Sequence, residues 1–293
     1  MQDLLYFNKL AELHSYTKVA AYYQVSQPTI SLAVQRLENE LHIELVQRNQ
    51  AHHQIEITPA GKQLAQHAQI ISNEVTAIEQ SLVPQKQQPI NFGLPPIIGN
   101  YYFPSLAAQL GETGILDDLS NLEAGSKKLL HQLIDGTVDI ALLGSAAPFH
   151  NQNLTTTVLT QNQFKIITAK EHPLAQHPTV RMRDLDQADF IGFNDDFIHA
   201  ETFQKLCRLH GVRVNTRYRT QDVELIKQLV AQNVGISFLT ETAITPKDQV
   251  QTLNIDDDDV PNFFVSLARR TKHPLSEEEQ RLMQVLQTAI KAK

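Results

Sequence analysis

The feature that most constrains the fold is a long amphipathic segment that ends at Pro84. Thr58 and Pro59 are typical of a helix start, because threonine caps helix N-termini and proline is tolerated in the first turn. From Pro59 to Val83 a helix would be roughly 37 Å long at 1.5 Å per residue. Its apolar residues recur at spacings of four, three, four, three and four, a heptad seam formed by Leu64, Ala68, Ile71, Val75, Ile78 and Leu82. We predict that this helix dimerises; the alternative is that it packs on its own domain.

The chain differs on the two sides of this helix. The part before it contains three short helical patterns and then the strand-like stretch "IEIT". After the polar linker "PQKQQ", strands and helices alternate, the first such helix from about Tyr101, which favours α/β architecture with mostly parallel sheets. The predicted domains are residues 1–57, a linker and dimerisation helix at 58–88, and 89–293, divided into subdomains at about 89–162 with 262–293 and at about 163–261.

Composition excludes several classes of protein. A single cysteine cannot form a disulfide framework and fits a reducing compartment. The stretch "MQDLLYFNKLAELH" is unlike a secretory signal, and no apolar run is long enough to span a bilayer, so we expect a cytoplasmic protein without membrane partners. The formal net charge of −7 argues against coating nucleic acid through bulk charge, but it permits a small DNA-reading module.

The stretch "VSQPTISLAVQRLENEL" is predicted to be a helix with Pro28 in its first turn, where a missing N–H costs little. Its inward face would be formed by Ile30, Val34, Leu37 and Leu41. The opposite face would be short, neutral and rich in hydrogen-bonding groups at its front. A short helix precedes it, joined through the tight connection "QVSQ". The pair predicts a helix-turn-helix that enters the major groove, with an ordinary three-helix bundle as the alternative.

Five stretches, "SYTKVA", "VSQPTIS", "RLENEL", "ELVQR" and "TPAG", resemble the N-terminal domain of LysR-type transcriptional regulators in order and spacing. The resemblance spans the chain and implies a multidomain α+β and α/β fold: a winged helix-turn-helix, a linker helix and a periplasmic-binding-protein-like effector domain of two subdomains. It implies a regulator without cofactor or enzyme activity, whose partners are an interrupted palindrome of double-stranded DNA, a small effector, further copies of itself and RNA polymerase. "GLPPIIGNYYFP" and "EAGSKKLL" are similar to regulators of the malolactic system of lactic acid bacteria.

The resemblance also suggests which residues meet DNA. Leu32 stands where the family often has a basic residue, and it can contact a thymine methyl group. The wing "NQAHHQ" lacks the family's usual cations, and its two histidines either gain charge as pH falls or remain neutral surface residues. The candidate DNA-binding residues are Ser26, Gln27, Pro28, Thr29, Ser31, Leu32, Gln35, Arg36, Arg48, His52 and His53.

The second half of the chain favours ligand binding over catalysis. It lacks G-x-S-x-G, P-loop and H-E-x-x-H motifs. Cys207 shares a buried helix face with Phe203 and Leu206, so a packed thiol is expected rather than a nucleophile. The acidic run 256–259 is expected to be a solvated loop rather than a metal site. A stand-alone small-molecule binding protein or enzyme with a helical dimerisation domain remains the alternative to a regulator.

Three loops suit an anionic ligand, because in α/β folds ligands bind beyond strand carboxyl ends, near helix N-termini. They are "PPIIGNY", "GSKK" and "TQDV", and ordinary helix caps are the alternative at each. We expect a small carboxylate, L-malate by the malolactic resemblance, between two facing helix N-termini in the cleft between the subdomains. The candidate effector-binding residues are Asn100, Ser126, Lys127, His199 at the rim, Thr220 and Gln221.

Overall fold

The computed structural model describes residues 1–49, 54–82 and 89–291. The chain divides into two compact units, Met1–Lys86 and Gln87–Lys293, which are considered separately. Within the described residues, no helix is long and apolar enough to cross a membrane.

The N-terminal unit is a three-helix core with a two-stranded antiparallel sheet, followed by a long helix. Its elements are α1 (Gln2–Leu13), α2 (Tyr16–Tyr23), α3 (Gln27–Leu41), β1 (Val46–Asn49), β2 (Gln54–Ile57) and α4 (Pro59–Leu82). Phe7, Leu10 and Ile30 are fully buried in its core. This confirms the predicted winged helix-turn-helix. One inward position was wrong: Leu41, the last residue of α3, lies outside the core and is 48% exposed.

Short polar contacts fix how the elements of this unit join. The Thr58 hydroxyl accepts from the Gly61 amide at 3.0 Å and donates to the Glu44 carbonyl at 2.8 Å, so it caps α4 and ties its start to the chain before β1. Gly61 has no room for a side chain, since a Cβ there would lie 2.3 Å from the Leu45 oxygen. The Glu38 carboxylate accepts from the Leu45 amide at 2.8 Å, which links α3 to the hairpin. The "TPAG" and "RLENEL" motifs therefore position the hairpin.

The C-terminal unit is built on a mixed sheet with helices around it. Its strands are β3 (Ile90–Gly93), β4 (Leu119–Leu122), β5 (Ile140–Ser145), β6 (Leu154–Thr168), β7 (Thr179–Val180), β8 (Asp189–Phe193), β9 (Asn215–Thr220), β10 (Ser237–Thr240), β11 (Gln251–Ile255) and β12 (Asn262–Arg270). Its α-helices are α5 (Pro96–Glu112), α6 (Ser126–Asp135), α7 (Ile198–His210), α8 (Val223–Ala231) and α9 (Glu277–Lys291). Helix α5 begins at Pro96, earlier than the predicted start near Tyr101, because a proline is accommodated at the first helical position.

The expectation of mostly parallel strands was wrong. The main sheet has the order β4-β3-β5-β12-β6-β11-β7, with β10 also on β6, while β8 and β9 form a separate parallel pair. Strand β6 is long, and three strands that follow it in the chain, β10, β11 and β12, all pair with it antiparallel. Gln163 pairs with Asn262 on β12, whereas the next residue, Phe164, pairs with Thr240 on β10. The predicted subdomain boundary falls at this change of partner, and the division itself stays a prediction.

Candidate functional site

The outer face of α3 carries the residues that were predicted to meet DNA. Ser26, Gln27, Pro28, Leu32, Gln35 and Arg36 are exposed, and Thr29 and Ser31 are half-buried beside them. The opposite side of the helix is buried through Ile30, Ala33, Val34 and Leu37. Leu32 is 53% exposed, so an apolar side chain stands in the middle of this otherwise polar face. The face therefore offers hydroxyls and amides, which can contact base edges or phosphates, and one branched apolar group, which can contact a thymine methyl group.

Arg36, the only cation on this face, is held by a carboxylate of the same chain. Its Nε donates to Asp3 Oδ2 at 2.8 Å and its Nη2 to Asp3 Oδ1 at 2.6 Å, a bidentate pair that joins α3 to α1. The hydrogen bond from Arg36 lowers the pKa of the Asp3 carboxyl. Sequence reasoning missed Asp3 because the contact spans 33 positions and no motif includes it. Asp3 thus occupies one side of the guanidinium, and a phosphate or a base either uses the remaining donors of Arg36 or displaces Asp3.

The wing is described only in part. Arg48 lies on β1 opposite Ile55, and nothing is described of its side chain. His52 and His53 lie outside the described residues, so their role stays a prediction.

The seam of α4 begins inside its own unit and continues onto the surface. Leu64 packs against the core of the three helices, and Ala68 is 1% exposed. The Asn8 amide on α1 donates to Gln69 on α4 at 2.8 Å. Further along, Ile71 is 36% exposed and Val75 is half-buried, while the side chains of Ile78 and Leu82 are not described. The first turns of the seam therefore pack as the alternative predicted, whereas Ile71 is exposed enough to meet a partner.

In the C-terminal unit, the first turns of three helices line one small cavity of about 10 Å³. They are those of α5, α6 and α7, with Phe263 of β12 closing one side. The residues that precede them, Pro95, Gly125 and Phe197, make no side-chain hydrogen bond to the helix ends. The first amides of a helix have no partner within the helix and carry partial positive charge. The cavity therefore lies where three helix N-termini without side-chain caps converge.

Ser126 places a hydroxyl at this point. It is the first residue of α6, is buried, and its Oγ accepts from the Gly144 amide at 2.8 Å, which leaves its own proton to donate. The preceding residue, Gly125, approaches the chain before α7 so closely that a Cβ would lie 2.5 Å from the Asp196 oxygen. Only glycine permits this contact without a shift of the backbone. The "GSKK" stretch therefore brings α6 against the start of α7.

His199 lines the same cavity from α7, but it does not lie at a rim as predicted. It is 3% exposed, and its Nε2 accepts from the Thr240 amide at 3.3 Å. Burial among the rings of Phe164, Phe193 and Phe263 lowers the pKa of His199 to about 3. The imidazole is therefore neutral, and its proton sits on Nδ1 because Nε2 is an acceptor.

Two sequence families match the chain: residues 1–62 match the "Bacterial regulatory helix-turn-helix protein, lysR family", and residues 84–291 match the "LysR substrate binding domain". The chain belongs to the LysR family. It is a DNA-binding transcriptional regulator with a small-molecule effector domain, and not an enzyme. The "Malolactic fermentation system transcriptional activator" of Lactococcus lactis subsp. lactis is 31% identical to it over 98% of both chains.

Solved structures agree with this LysR regulator in fold. A full-length OxyR variant from Pseudomonas aeruginosa superposes with a TM-score of 0.64 at 22% identity, covering 99% of this chain and 96% of the other. The CcmR regulatory domain from Synechocystis, in complex with 2-PG, gives 0.61 at 21% identity, covering 70% of this chain and 98% of that domain.

The other predicted effector residues of this LysR regulator do not line the cavity. Asn100 lies exposed on α5, and the Lys127 ammonium is 2.7 Å from Glu201. Thr220 ends β9, and α8 opens at Val223 instead of at Thr220 and Gln221. The Asp222 carboxylate already accepts from the first amides of α8, so that helix end would repel a carboxylate ligand. The N-terminus of α7 takes the place that was predicted for α8.

A cluster of possible metal ligands, Asp139, His273 and Glu279, is arranged as an ion-pair network. Arg270 Nη2 lies 3.6 Å from Asp139, and the Glu279 carboxylate accepts from the Ser276 amide at 2.7 Å. Burial raises the pKa of Glu279. The network ties the start of α9 to the sheet.

Proposed function

We propose that this LysR regulator senses a small dicarboxylate, with L-malate as the first candidate, in the cleft lined by α5, α6 and α7. The observation that carries the proposal is the convergence of three helix N-termini without side-chain caps on one cavity. Backbone amides at helix N-termini bind anions through both hydrogen bonds and the helix dipole. Three such ends provide enough donors for two carboxylate groups.

The side chains around the cleft fit the same ligand. No acidic residue lines the cavity in the described part of the chain, and Ser126 contributes a hydroxyl proton. His199 is neutral, with its remaining proton on Nδ1, so it can donate to a ligand without placing a full charge in the cleft. The relative from L. lactis, which activates a malolactic system by name, favours malate among small dicarboxylates.

The cleft must open to admit such a ligand. A volume of about 10 Å³ holds roughly one water molecule. Malate therefore binds only when α7 moves away from α5 and α6. A ligand that binds the open form shifts the population towards it, and this provides a route from effector to DNA affinity.

The proposal extends to how the regulator pairs and reads DNA. Two copies pair through the seam of α4 from Ile71 onward and read an interrupted palindrome with the outer faces of their α3 helices, aided by the wing. The regulator acts in the cytoplasm, where it meets chromosomal DNA and RNA polymerase, on genes for organic-acid metabolism. The effector domain works as two subdomains that meet at the change of partner along β6.

Calorimetry of the full chain against L-malate, citrate and L-lactate tests the effector assignment. L-malate should bind, and Ser126→Ala should weaken it by about tenfold, the equivalent of one hydrogen bond to a charged group. Ser105→Ala, an exposed serine on α5, is the matched control and should bind as the parent does. Absence of heat with all three anions, from protein whose circular dichroism shows it folded, would remove the dicarboxylate and leave the family assignment intact.

A further inference from the structure

A second and larger cavity, of about 210 Å³, lies between one face of α7 and the strands β8, β9 and β10. It is separate from the effector cleft of about 10 Å³, although His199 forms part of both walls. Helix α7 contributes residues one turn apart: Ala200, then Phe203 and Gln204, then Cys207 and Arg208. The helix thus presents a continuous stripe to the cavity, and this stripe takes no part in the proposed malate cleft.

The floor of this cavity is aromatic. Phe190 and Phe203 are stacked with ring centroids 4.2 Å apart, and Phe238 lies 5.3 Å from Phe203. Burial raises the pKa of the Cys207 thiol to about 11, so the thiol is uncharged, as the aromatic rings are. Aromatic rings bind further rings favourably in stacked or edge-to-face contacts. An apolar cavity of about 150 Å³ accepts a benzene molecule, so 210 Å³ has room for one ring with a short substituent.

The rim of the cavity is positively charged. Arg208, Arg219 and Gln204 line it, and no acidic residue does so within the described ranges, although the Gln204 amide donates to Asp195 at 3.2 Å. Arg219 Nη1 lies 2.6 Å from Asp195, but the two side chains are 43% and 77% exposed, so this pair is weak and exchangeable. An arginine fork binds a carboxylate through two parallel hydrogen bonds. A ligand with a ring inside and a carboxylate outside would match both parts of the cavity.

We propose that this cavity is a second ligand site, which binds an aromatic monocarboxylate with its ring against Phe203 and Phe238 and its carboxylate on Arg208 and Arg219. The site differs from the malate cleft in its chemistry, since it joins an apolar floor to charged side chains where the cleft offers backbone amides. It also differs in access, because the ligand enters past β9, whose residues are exposed along nearly all of its length.

The single cysteine of the chain provides the test, because Cys207 lines the cavity. The rate at which iodoacetamide alkylates full-length protein is measured by mass spectrometry with 4-fluorophenylacetate, with the neutral analogue 2-(4-fluorophenyl)ethanol, and with L-malate. We expect the acid to slow alkylation at least fivefold at saturation, the alcohol to bind about tenfold more weakly, and L-malate, which does not fill this cavity, to protect much less than the acid. Fluorine NMR of the two fluorinated probes gives their affinities independently.

Arginine variants test the charged rim. Arg208→Gln with Arg219→Gln should weaken the acid by about tenfold and leave the alcohol unchanged, whereas Arg213→Gln, an exposed arginine outside the cavity, should change neither. Equal affinity for acid and alcohol, or equal protection by L-malate, contradicts the proposal. So does an unchanged alkylation rate with millimolar acid in protein that still binds DNA. Failure of the acid to bind or to protect Cys207 would leave malate binding in the cleft untouched, so the two proposals fail separately.

Discussion

At the scale of single residues, the contact that bears most directly on the proposed DNA-binding face is the pair between Asp3 and Arg36. It sits on an exposed surface, where an ion pair contributes little to stability. Its consequence is electrostatic: the one cation on the outer face of α3 is already neutralised. A phosphate that approaches the Nε and Nη2 side of the guanidinium must compete with Asp3 for these donors.

Asp3→Asn should therefore raise affinity for operator DNA about three- to tenfold, and it should make the salt dependence steeper by about one counterion. Fluorescence anisotropy over a series of salt concentrations measures both quantities. Glu12→Gln changes the net charge equally on the same helix, where Glu12 pairs with Lys9, and is the control. If both variants show the same affinity and slope as the parent, Arg36 does not contact DNA.

The burial of His199 makes the stability of the fold depend on pH. Its folded pKa of about 3 is below the usual 6.5, so the unfolded chain binds a proton that the folded chain excludes. The contribution of neutral His199 to stability is complete above pH 6.5 and is lost as pH falls from 6.5 towards 3, at up to about 1.4 kcal/mol per pH unit. Urea denaturation at pH values from 7 to 5 gives the free energy of unfolding as a function of pH. This free energy should depend on pH less steeply in His199→Gln, by about one proton. The same dependence of the unfolding free energy on pH in the parent protein and in His199→Gln would show that His199 has an ordinary pKa in the folded state.

At the scale of elements, the sequence predicts best where one helix face repeats. The heptad spacing predicted α4, and the inward apolar residues predicted α3. The first half of β6 escaped prediction because "LTTTVLTQNQ" is only partly buried on both faces and has no strict alternation. The antiparallel return of β11 and β12 depends on pairing across nearly a hundred residues, for which spacing gives no signal.

The candidate ligand site, too, was predicted only in part from the sequence. "GSKK" and "PPIIG" were recognised as helix starts, and the structure places both at the cleft. Helix α7 was predicted, around "AETFQKLCRL", but apart from His199 its start was not recognised as part of a ligand site, because Phe197 at its N-cap is not a capping residue and leaves no mark in the sequence. "TQDV" was preferred instead, because Asp222 has the appearance of a cap and, in the structure, is one. A capping residue marks a helix start in the sequence, but its side chain occupies the amides that an anion would bind. An anion site therefore requires a helix start that has no side-chain cap.

Ile71→Asp tests the exposed part of the seam on α4. A carboxylate buried between two helices without a partner is costly, so the variant should dissociate the dimer and lose binding to a palindrome. Sedimentation analysis measures the first effect and anisotropy the second. Gln66→Asp adds the same charge at an exposed position of α4 and should remain dimeric. A dimeric Ile71→Asp protein would place the interface elsewhere.

At the scale of the whole molecule, the chain separates reading from sensing. One compact unit carries the face of α3, and the other carries the cleft of three helix N-termini. The formal net charge of −7 argues against binding DNA through bulk electrostatic attraction. Under the proposed function, ligand binding in the second unit changes the affinity of the first unit for DNA.

The most direct test measures binding of the full chain to DNA from beside its own gene, with and without L-malate, by fluorescence anisotropy. We predict specific binding that L-malate changes at least threefold, a response lost in Ser126→Ala while binding without ligand stays as in the parent protein. Ser105→Ala should keep the response. Specific DNA binding that is identical with and without L-malate, citrate and L-lactate would contradict the claim that the cleft senses a small carboxylate.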